Sequence, residues 1–152
     1  MRLPPDLKHP DSTFVEDTAV LTPRSAILTR PGAASRMGEV EGTRNTIERF
    51  YSKVHQITEP GTLDGGDVCA AGLHYFIGIS TRTNAEGARQ LARILEDEGY
   101  TASMVDIRGM RSILHLKSGI AYVGCGTLLV MSEIEGRKEG VRRVQANPSS
   151  RG

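Results

Sequence analysis

The 152-residue sequence has no tryptophan, two cysteines and few aromatic residues, and these shortages already exclude several classes of protein. Cys69 and Cys125 belong to no CxxC pair, which argues against a disulfide framework and against a structural zinc site. The chain carries 19 basic and 18 acidic side chains, so it lacks the excess positive charge of nucleic-acid-binding proteins. Its longest uncharged run, from Ser118 to Ser132, is shorter than the roughly 18 residues of a membrane-spanning helix. We therefore expect neither a nucleic-acid partner nor a membrane partner.

The N-terminal segment also lacks an apolar stretch. It reads MRLPPDLKHPD, with prolines and aspartates where a secretory signal has its hydrophobic part. We therefore expect a cytoplasmic protein whose thiols are reduced. The length fits one domain, residues 1–152, and the hydrophobic content of 38% is enough for a core.

Glycine is plentiful, with 17 residues that separate short apolar segments instead of forming one low-complexity block. β-Branched and alternating segments predict strands, and apolar stripes at helical spacing predict a helix after each of the first two strand pairs. The predicted elements are strands at 13–21, 25–30 and 54–58 with a helix at 35–52, strands at 67–71, 74–80 and 101–107 with a helix at 84–98, and strands at 119–124 and 127–131. The pattern from Glu133 onward is helical, whereas residues 142–152 show no pattern and are expected to form a frayed tail.

The order of hairpin, helix and strand recurs every fifty residues, which places Asp17, Asp67 and Lys117 at equivalent sites. Such a unit leaves one sheet face and one helix stripe uncovered, so it needs neighbours, and its repetition indicates blades arranged about an axis. The loops that precede the hairpins would then meet near this axis, at 11–17, 61–67 and 111–117. We therefore expect an α/β fold in which polar side chains of these loops share one cleft.

Carboxylates dominate the three loops. Several carboxylates in one cleft favour a cationic ligand, and a planar guanidinium is the cation whose N–H donors best match paired carboxylate acceptors. Arginines just after the first two hairpins could bind an α-carboxylate through two hydrogen bonds, so an arginine-like amino acid satisfies both requirements. The residues concerned are Asp11, Glu16, Asp17, Asp64, Asp67, His115 and Lys117 in the loops, and Arg36 and Arg82 after the hairpins. The alternative is that these charges are solvated residues at strand ends.

Five segments with distinctive amino-acid sequences follow one another along the chain: LPPDLKHPDSTFVEDTAVLT, LTRPGAASR, TLDGGDV, ISTRTNAEGA and LHLKSGIAYVG. They resemble the dimethylarginine dimethylaminohydrolase family, a branch of the guanidino-group-modifying superfamily that includes arginine deiminases and amidinotransferases. The resemblance runs from Leu3 to Met131. It implies an α/β propeller of five pseudo-symmetric ββαβ units, of which this chain would supply about two and a half.

The resemblance also implies a reaction. A cysteine attacks the guanidinium carbon of dimethylarginine, dimethylamine leaves, and water releases citrulline from the thiouronium intermediate, without a metal or other cofactor. A guanidinium carbon is a poor electrophile, so carboxylates must orient it while a thiolate attacks and a histidine transfers the proton. The implied substrate-binding residues are Asp11, Glu16 and Asp17 at the guanidinium and amino groups and Arg36 and Arg82 at the carboxylate; the implied catalytic residues are His115 and Asp64, the latter also orienting the histidine.

Two of these assignments have simpler alternatives. In the first alternative, His115 is an ordinary loop histidine without a catalytic role. In the second, the DGGD segment from Asp64 to Asp67 is only a tight turn whose glycines supply positive φ angles.

The sequence departs from the family in one respect. The family's cysteine nucleophile follows two further repeats, and no such segment occurs in this sequence. Cys69, inside a predicted strand, and Cys125, inside VGCGT, are better explained as small buried or half-buried thiols. We therefore expect the chain to be a fragment of a hydrolase without activity by itself. The alternatives are an inactive homologue that binds arginine derivatives or a partner protein, or that forms homo-oligomers which supply the missing units; an enzyme that uses Cys125; and an arginine deiminase-like enzyme that acts on arginine.

Overall fold

In the part of the chain that the structure describes, three short β-sheets of three strands each follow one another, and two helices pack on them. The computed structural model describes residues 5–134 and the backbone of 141–145. The strands are β1 (Ala19–Leu21), β2 (Ala26–Leu28), β3 (Val54–Gln56), β4 (Val68–Ala71), β5 (His74–Ile79), β6 (Thr101–Asp106), β7 (Ile120–Gly124), β8 (Thr127–Met131) and β9 (Val141–Gln145). The helices are α1 (Glu39–Ile47) and α2 (Ala85–Asp97), and short 3₁₀ turns span Pro10–Thr13, Val15–Thr18, Ala34–Arg36, Gly65–Asp67 and Leu116–Ser118. Within these ranges neither α1 nor α2 has the length and apolar character needed to cross a bilayer.

The first two sheets share one topology. In each, a hairpin pairs two antiparallel strands, and the third strand runs parallel to the second after a helical crossover. The predicted ββαβ unit and its repetition are therefore confirmed for these two units. The third sheet differs, because β7, β8 and β9 are antiparallel throughout.

Helix α2 forms where the sequence predicts it. The Asn84 side chain accepts a 2.8 Å hydrogen bond from the N–H of Gly87 and so caps the first turn. Gly99, with φ of +86°, follows the last turn, where a left-handed residue ends a helix at little cost. The apolar stripe of Leu91 and Leu95 is fully buried. Local capping and periodicity therefore agree with tertiary packing in this element.

Three apolar clusters form the core of the described residues, and two of them join neighbouring units. Because side chains alternate along a strand, each of the first two sheets packs one face on its own helix and the other on the next unit. The clusters contain Ala26, Leu28, Val40 and Ile47 around α1; Val20, Ile27, Ile77, Leu91 and Leu95 around α2; and Cys69, Ala71, Ile120, Leu128 and Val130 between the second and third sheets. This is the packing between neighbours that a repeated unit requires.

The first strand and first helix are shorter than predicted. Residues 13–18 lie mostly in 3₁₀ turns, because tertiary partners replace a strand ladder there: Arg36 donates to the carbonyls of Asp11 and Phe14, both at 3.2 Å. The helix predicted at 35–52 covers only Glu39–Ile47. Its first predicted residues form a 3₁₀ turn, and after Ile47 the N–H of Phe50 donates to the carbonyl of Ile47, three residues back, in place of the four-residue spacing of an α-helix.

The predictions for the C-terminal segment are wrong in the described part. Residues 132–134 form a turn and not the start of a helix. Residues 142–145, predicted as part of a frayed tail, belong to β9, which pairs with β8 from Thr127 to Met131. Strand pairing supplies backbone partners that the local sequence does not reveal. Residues 135–140 and 146–152 lie outside the described residues.

Candidate active site

The 3₁₀ turns that precede the three hairpins lie side by side. The N–H of Gly66, in the second turn, donates a 2.8 Å hydrogen bond to Oδ1 of Asp17 in the first. The N–H of Leu116, in the third turn, donates a 2.9 Å hydrogen bond to Oδ1 of Asp67 in the second. The prediction that the recurrent loops meet is therefore confirmed for these residues.

Asp17, Asp64 and His115 come together at this meeting point. One side-chain oxygen or nitrogen of each lies within 4.8 Å of those of the other two, and both aspartates are buried. Oδ1 of Asp64 accepts a 2.8 Å hydrogen bond from the N–H of Gly32. Burial nevertheless raises the pKa of Asp64 above its ordinary value. The cluster thus concentrates desolvated negative charge, which a cationic ligand would relieve.

The two glycines of the DGGD segment permit this close approach. The segment does form a tight 3₁₀ turn that leads into β4, but neither Gly65 nor Gly66 has a positive φ, so the prediction that these glycines supply positive φ angles is wrong. A Cβ on Gly65 would lie 2.0 Å from the carbonyl oxygen of Glu16, and a Cβ on Gly66 would lie 2.9 Å from both Oδ1 of Asp17 and Cγ of His115. Side chains larger than hydrogen would therefore separate the turns that carry the cluster.

Asp67 was predicted only as one of the loop carboxylates and was given no individual catalytic or binding role. Its fully buried carboxylate accepts hydrogen bonds from the hydroxyls of Ser80 at 2.7 Å and Thr83 at 2.6 Å, in addition to the N–H of Leu116. Nδ1 of His115 lies 3.5 Å from Oδ2 of Asp67. The proximity of Asp67 raises the pKa of His115, against the opposing effect of burial. The fifty-residue period, which equates Asp67 with Asp17, was the sequence signal that could have identified it.

The Arg36 guanidinium, predicted to bind a substrate carboxylate, contacts acceptors within the protein. Nη1 donates to Oδ2 of Asp17 at 2.6 Å, and Nε and Nη2 donate to the buried carboxylate of Glu39 at 3.1 and 2.8 Å. Nη2 also donates to the carbonyls of Asp11 and Phe14. All three nitrogens therefore have protein acceptors, and one of these acceptors is the Asp17 carboxylate.

Arg82 is placed differently. Its backbone packs against Gly32, where a Cβ would lie 2.1 Å from the carbonyl oxygen of Arg82. Gly32 is also the residue whose N–H binds Asp64, so Arg82 adjoins the cluster. Among the residues that the structure describes, none accepts a hydrogen bond from the Arg82 guanidinium. This side chain is half-buried and has donors for an acidic ligand group.

The remaining predicted residues lie at the exposed rim. The Asp11 side chain is exposed, and its backbone carbonyl binds Arg36. Oε1 of Glu16 accepts a 2.6 Å hydrogen bond from Nζ of Lys117, so this carboxylate already has a cationic partner. Glu16 and Lys117 also line an otherwise largely apolar groove of about 430 Å³ beside β1 and β4, which includes neither Asp64 nor His115.

Neither cysteine belongs to the cluster among the described residues. Cys69 is buried in β4, where burial raises the pKa of its thiol. Cys125 is exposed at the turn between β7 and β8, with φ of 49°. Asp17, Asp64 and His115 could each offer one ligand atom to a metal ion.

The fold brings two carboxylates and a histidine from successive units to one place. In agreement, the sequence model of the arginine deiminase family matches residues 41–151, and the chain belongs to that family.

More particular similarities are to dimethylargininases. The chain is 49% identical to the N(G),N(G)-dimethylarginine dimethylaminohydrolase of Pseudomonas aeruginosa over 138 residues, which are 90% of this chain and 53% of that protein. It is 41% identical to the protein of the same name from Streptomyces coelicolor over 120 residues, or 79% of this chain and 45% of the relative. The resemblance predicted from the five sequence segments is therefore confirmed.

A solved structure agrees with the sequence comparison. A cysteine-to-serine mutant of the Pseudomonas aeruginosa enzyme, complexed with citrulline, superposes with a TM-score of 0.82 at 49% identity. The match covers 88% of this chain and 52% of that chain. The chain thus spans about half the length of the relatives it matches, and over that span it has their mixed α/β fold.

Proposed function

We propose that this chain carries the guanidinium-binding and proton-transferring residues of a dimethylargininase. The reaction converts N-omega,N-omega-dimethylarginine and water to dimethylamine and citrulline through a cysteine thiouronium intermediate. The observation that carries the proposal is the convergence of Asp17, Asp64 and His115 within 4.8 Å. The 49% identity to a Pseudomonas aeruginosa protein of that name, and the citrulline complex of that protein, support the choice of substrate.

The carboxylates of Asp17 and Asp64 orient the guanidinium plane. Each carboxylate oxygen can accept more than one hydrogen bond, so Asp17 retains acceptor sites beside those used by Arg36 and Gly66. The pairing with Arg36 holds Asp17 in one orientation before the ligand arrives. Such prior positioning lowers the entropic cost of aligning the guanidinium carbon for attack.

His115 transfers the proton in both half-reactions. Dimethylamine is a poor leaving group until it is protonated, and the attacking water must later lose a proton. Because the neighbouring Asp67 raises the pKa of His115, the imidazolium form persists further into the neutral range, as an acid for the first step requires.

Arg82 binds the substrate carboxylate in this proposal, and Arg36 does not. The Arg82 backbone adjoins the cluster through Gly32, and its guanidinium has no acceptor among the described residues, whereas Arg36 has its acceptors within the protein. Glu16 would reach the substrate amino group after exchanging its present partner, Lys117. Asp11 remains a predicted rim contact.

The complete enzyme would be a pseudo-symmetric propeller. This architecture is supported by the repeated ββαβ topology and by the shared clusters between successive units. The apolar groove beside β1 and β4 would favour homo-oligomers of this chain. The two unpaired cysteines suit a reducing, cytoplasmic environment. No step of the proposed reaction requires a cofactor.

Arginine is the second candidate substrate, because the matching family model is that of arginine deiminase. Arginine presents the same guanidinium and carboxylate and differs by two methyl groups on one terminal nitrogen. The two ligands must therefore be compared directly.

Calorimetric titration of the chain with dimethylarginine and with arginine tests the proposal. We expect dimethylarginine to bind more tightly than arginine, and the variant Asp64→Asn to weaken its binding at least tenfold. The matched control is Asp106→Asn at the exposed end of β6, where affinity should not change. Absence of binding to the unmodified chain, or equal losses in both variants, would contradict the proposal.

An assay for dimethylamine separates binding from hydrolysis. Neither described thiol lies in the cluster, so we expect the chain to bind dimethylarginine without releasing dimethylamine. Release that stops in the variant Cys125→Ser would instead assign attack to Cys125.

A further inference from the structure

We infer that Asp67 is the positioning residue of His115 and keeps the proton of the neutral imidazole on Nδ1, so that Nε2 faces the ligand. This inference rests on the proposed function for its consequence, but its geometry stands by itself. The family resemblance assigns the orienting role to Asp64, so the structure points to a different carboxylate.

The Asp67 carboxylate holds both the ring and the backbone of this loop. Oδ2 lies 3.5 Å from Nδ1 of His115, and Oδ1 accepts the 2.9 Å hydrogen bond from the N–H of the next residue, Leu116. Nδ1 of His115 is buried and has no closer acceptor among the described residues. A small movement of the ring would therefore convert this contact into a direct hydrogen bond.

The carboxylate is itself held rigidly and remains charged. Ser80 and Thr83 donate their hydroxyl protons to Oδ2 at 2.7 and 2.6 Å. Burial acts to raise the pKa of Asp67, but His115, Thr83 and Ser80 together lower it below its ordinary value. An ionised carboxylate can only accept, so the ring nitrogen that faces it must be the one that carries the proton.

Asp64 is less suited to this task. Its Oδ1 accepts a hydrogen bond from the N–H of Gly32, and burial raises its pKa, so Asp64 is less readily ionised than Asp67. Its effect on the pKa of His115 is also smaller than that of Asp67. Asp64 is therefore left to face the ligand, while Asp67 stands behind the imidazole.

The tautomer of His115 in the unmodified chain is the first test, and it needs no ligand. The ¹⁵N shifts of the four histidines are recorded by NMR at a pH where His115 is neutral, and its signals are assigned by their loss in the variant His115→Ala. We expect protonated Nδ1 and unprotonated Nε2. A proton on Nε2 would overturn the inference.

Variants of the carboxylate provide the second test. In Asp67→Asn the pKa of His115, measured by NMR titration, should fall toward its ordinary value, and by more than in Asp64→Asn. The double variant Ser80→Ala, Thr83→Ala loosens the same carboxylate while keeping its charge, so the pKa of His115 should stay raised. A fall in the double variant equal to that in Asp67→Asn would reduce Asp67 to a structural role and overturn the inference.

Two results keep these conclusions separate from the proposed function. If Asp67→Asn does not fold, the tautomer and the double variant still decide the inference. If the chain binds no dimethylarginine but His115 shows the expected tautomer, the proposed function fails and the positioning role of Asp67 stands.

Discussion

The carboxylate of Asp17 accepts a 2.8 Å hydrogen bond from the backbone N–H of Gly66, 49 residues further along the chain. The same bond recurs one unit later, from the N–H of Leu116 to Asp67, again across 49 residues. Each aspartate therefore attaches the next unit to its own. Lys117 occupies the third equivalent position and reaches back instead to Glu16 of the first unit at 2.6 Å. The repeated hydrogen bond between an aspartate and the next unit therefore brings the carboxylates of different units together.

The first prediction concerns the contact between Gly66 and the cluster. A methyl group in Gly66→Ala would meet Asp17 and His115 at 2.9 Å, so we expect a loss of about 1–3 kcal/mol in the free energy of unfolding, with weaker ligand binding. The matched control is Gly42→Ala in α1, where a Cβ meets nothing within 4 Å. There we expect a gain of roughly 0.5–1 kcal/mol, because alanine favours a helix. Urea unfolding followed by circular dichroism measures both, and a change of the same sign in the two variants would refute the assignment.

The second prediction concerns the buried charge of Arg36. Arg36→Met leaves the carboxylates of Asp17 and Glu39 buried without their cation, which typically costs about 3–5 kcal/mol. Arg108→Met removes an exposed ion pair with Asp106, which is screened by solvent, so its loss of stability should be far smaller. The free energies of unfolding in urea distinguish the two. Equal losses would mean that the Arg36 network contributes no more than a surface pair.

The third prediction concerns pH and Asp64. Burial raises the pKa of Asp64 in the folded state, so its ionisation opposes folding: the penalty is absent below the ordinary pKa of 3.8 and is complete above the raised one. Asp64→Asn should therefore unfold at higher urea concentration than the unmodified chain at pH 7, and the difference should narrow as the pH falls toward 4. The same variant should bind dimethylarginine more weakly. A variant that is less stable at pH 7 would contradict this account of Asp64.

The fourth prediction separates the two arginines. Arg82→Ala should weaken binding of dimethylarginine at least tenfold, because it removes the proposed partner of the ligand carboxylate. It should leave binding of the decarboxylated analogue within about twofold, since that ligand has no carboxylate to lose. Calorimetry with both ligands gives the comparison. Equal losses for the two ligands would show that Arg82 acts through the fold and not through the carboxylate.

Some of the site was predictable because its signal repeats along the chain. The period of fifty residues identified the turns that meet, and the resemblance selected Asp17, Asp64 and His115, which the structure brings together. The partners of Arg36 were not predictable. Glu39 lies three residues after Arg36 but belongs to no recognisable motif. Asp17 becomes a partner only when the 3₁₀ turn at Val15–Thr18 folds against α1.

The sequence by itself determined the repeated unit, its hairpins and helix α2, because strand alternation, glycine breaks and the Asn84 cap act between residues a few positions apart. Only the tertiary structure decided which charges meet. The Arg36 guanidinium pairs with Asp17 and Glu39, and the Asp67 carboxylate lies 3.5 Å from Nδ1 of His115. The sequence does not reveal these pairings, because they depend on how closely two backbone segments approach each other. That distance is set by the packing of whole units and by the missing side chain of Gly66, and no local pattern encodes it.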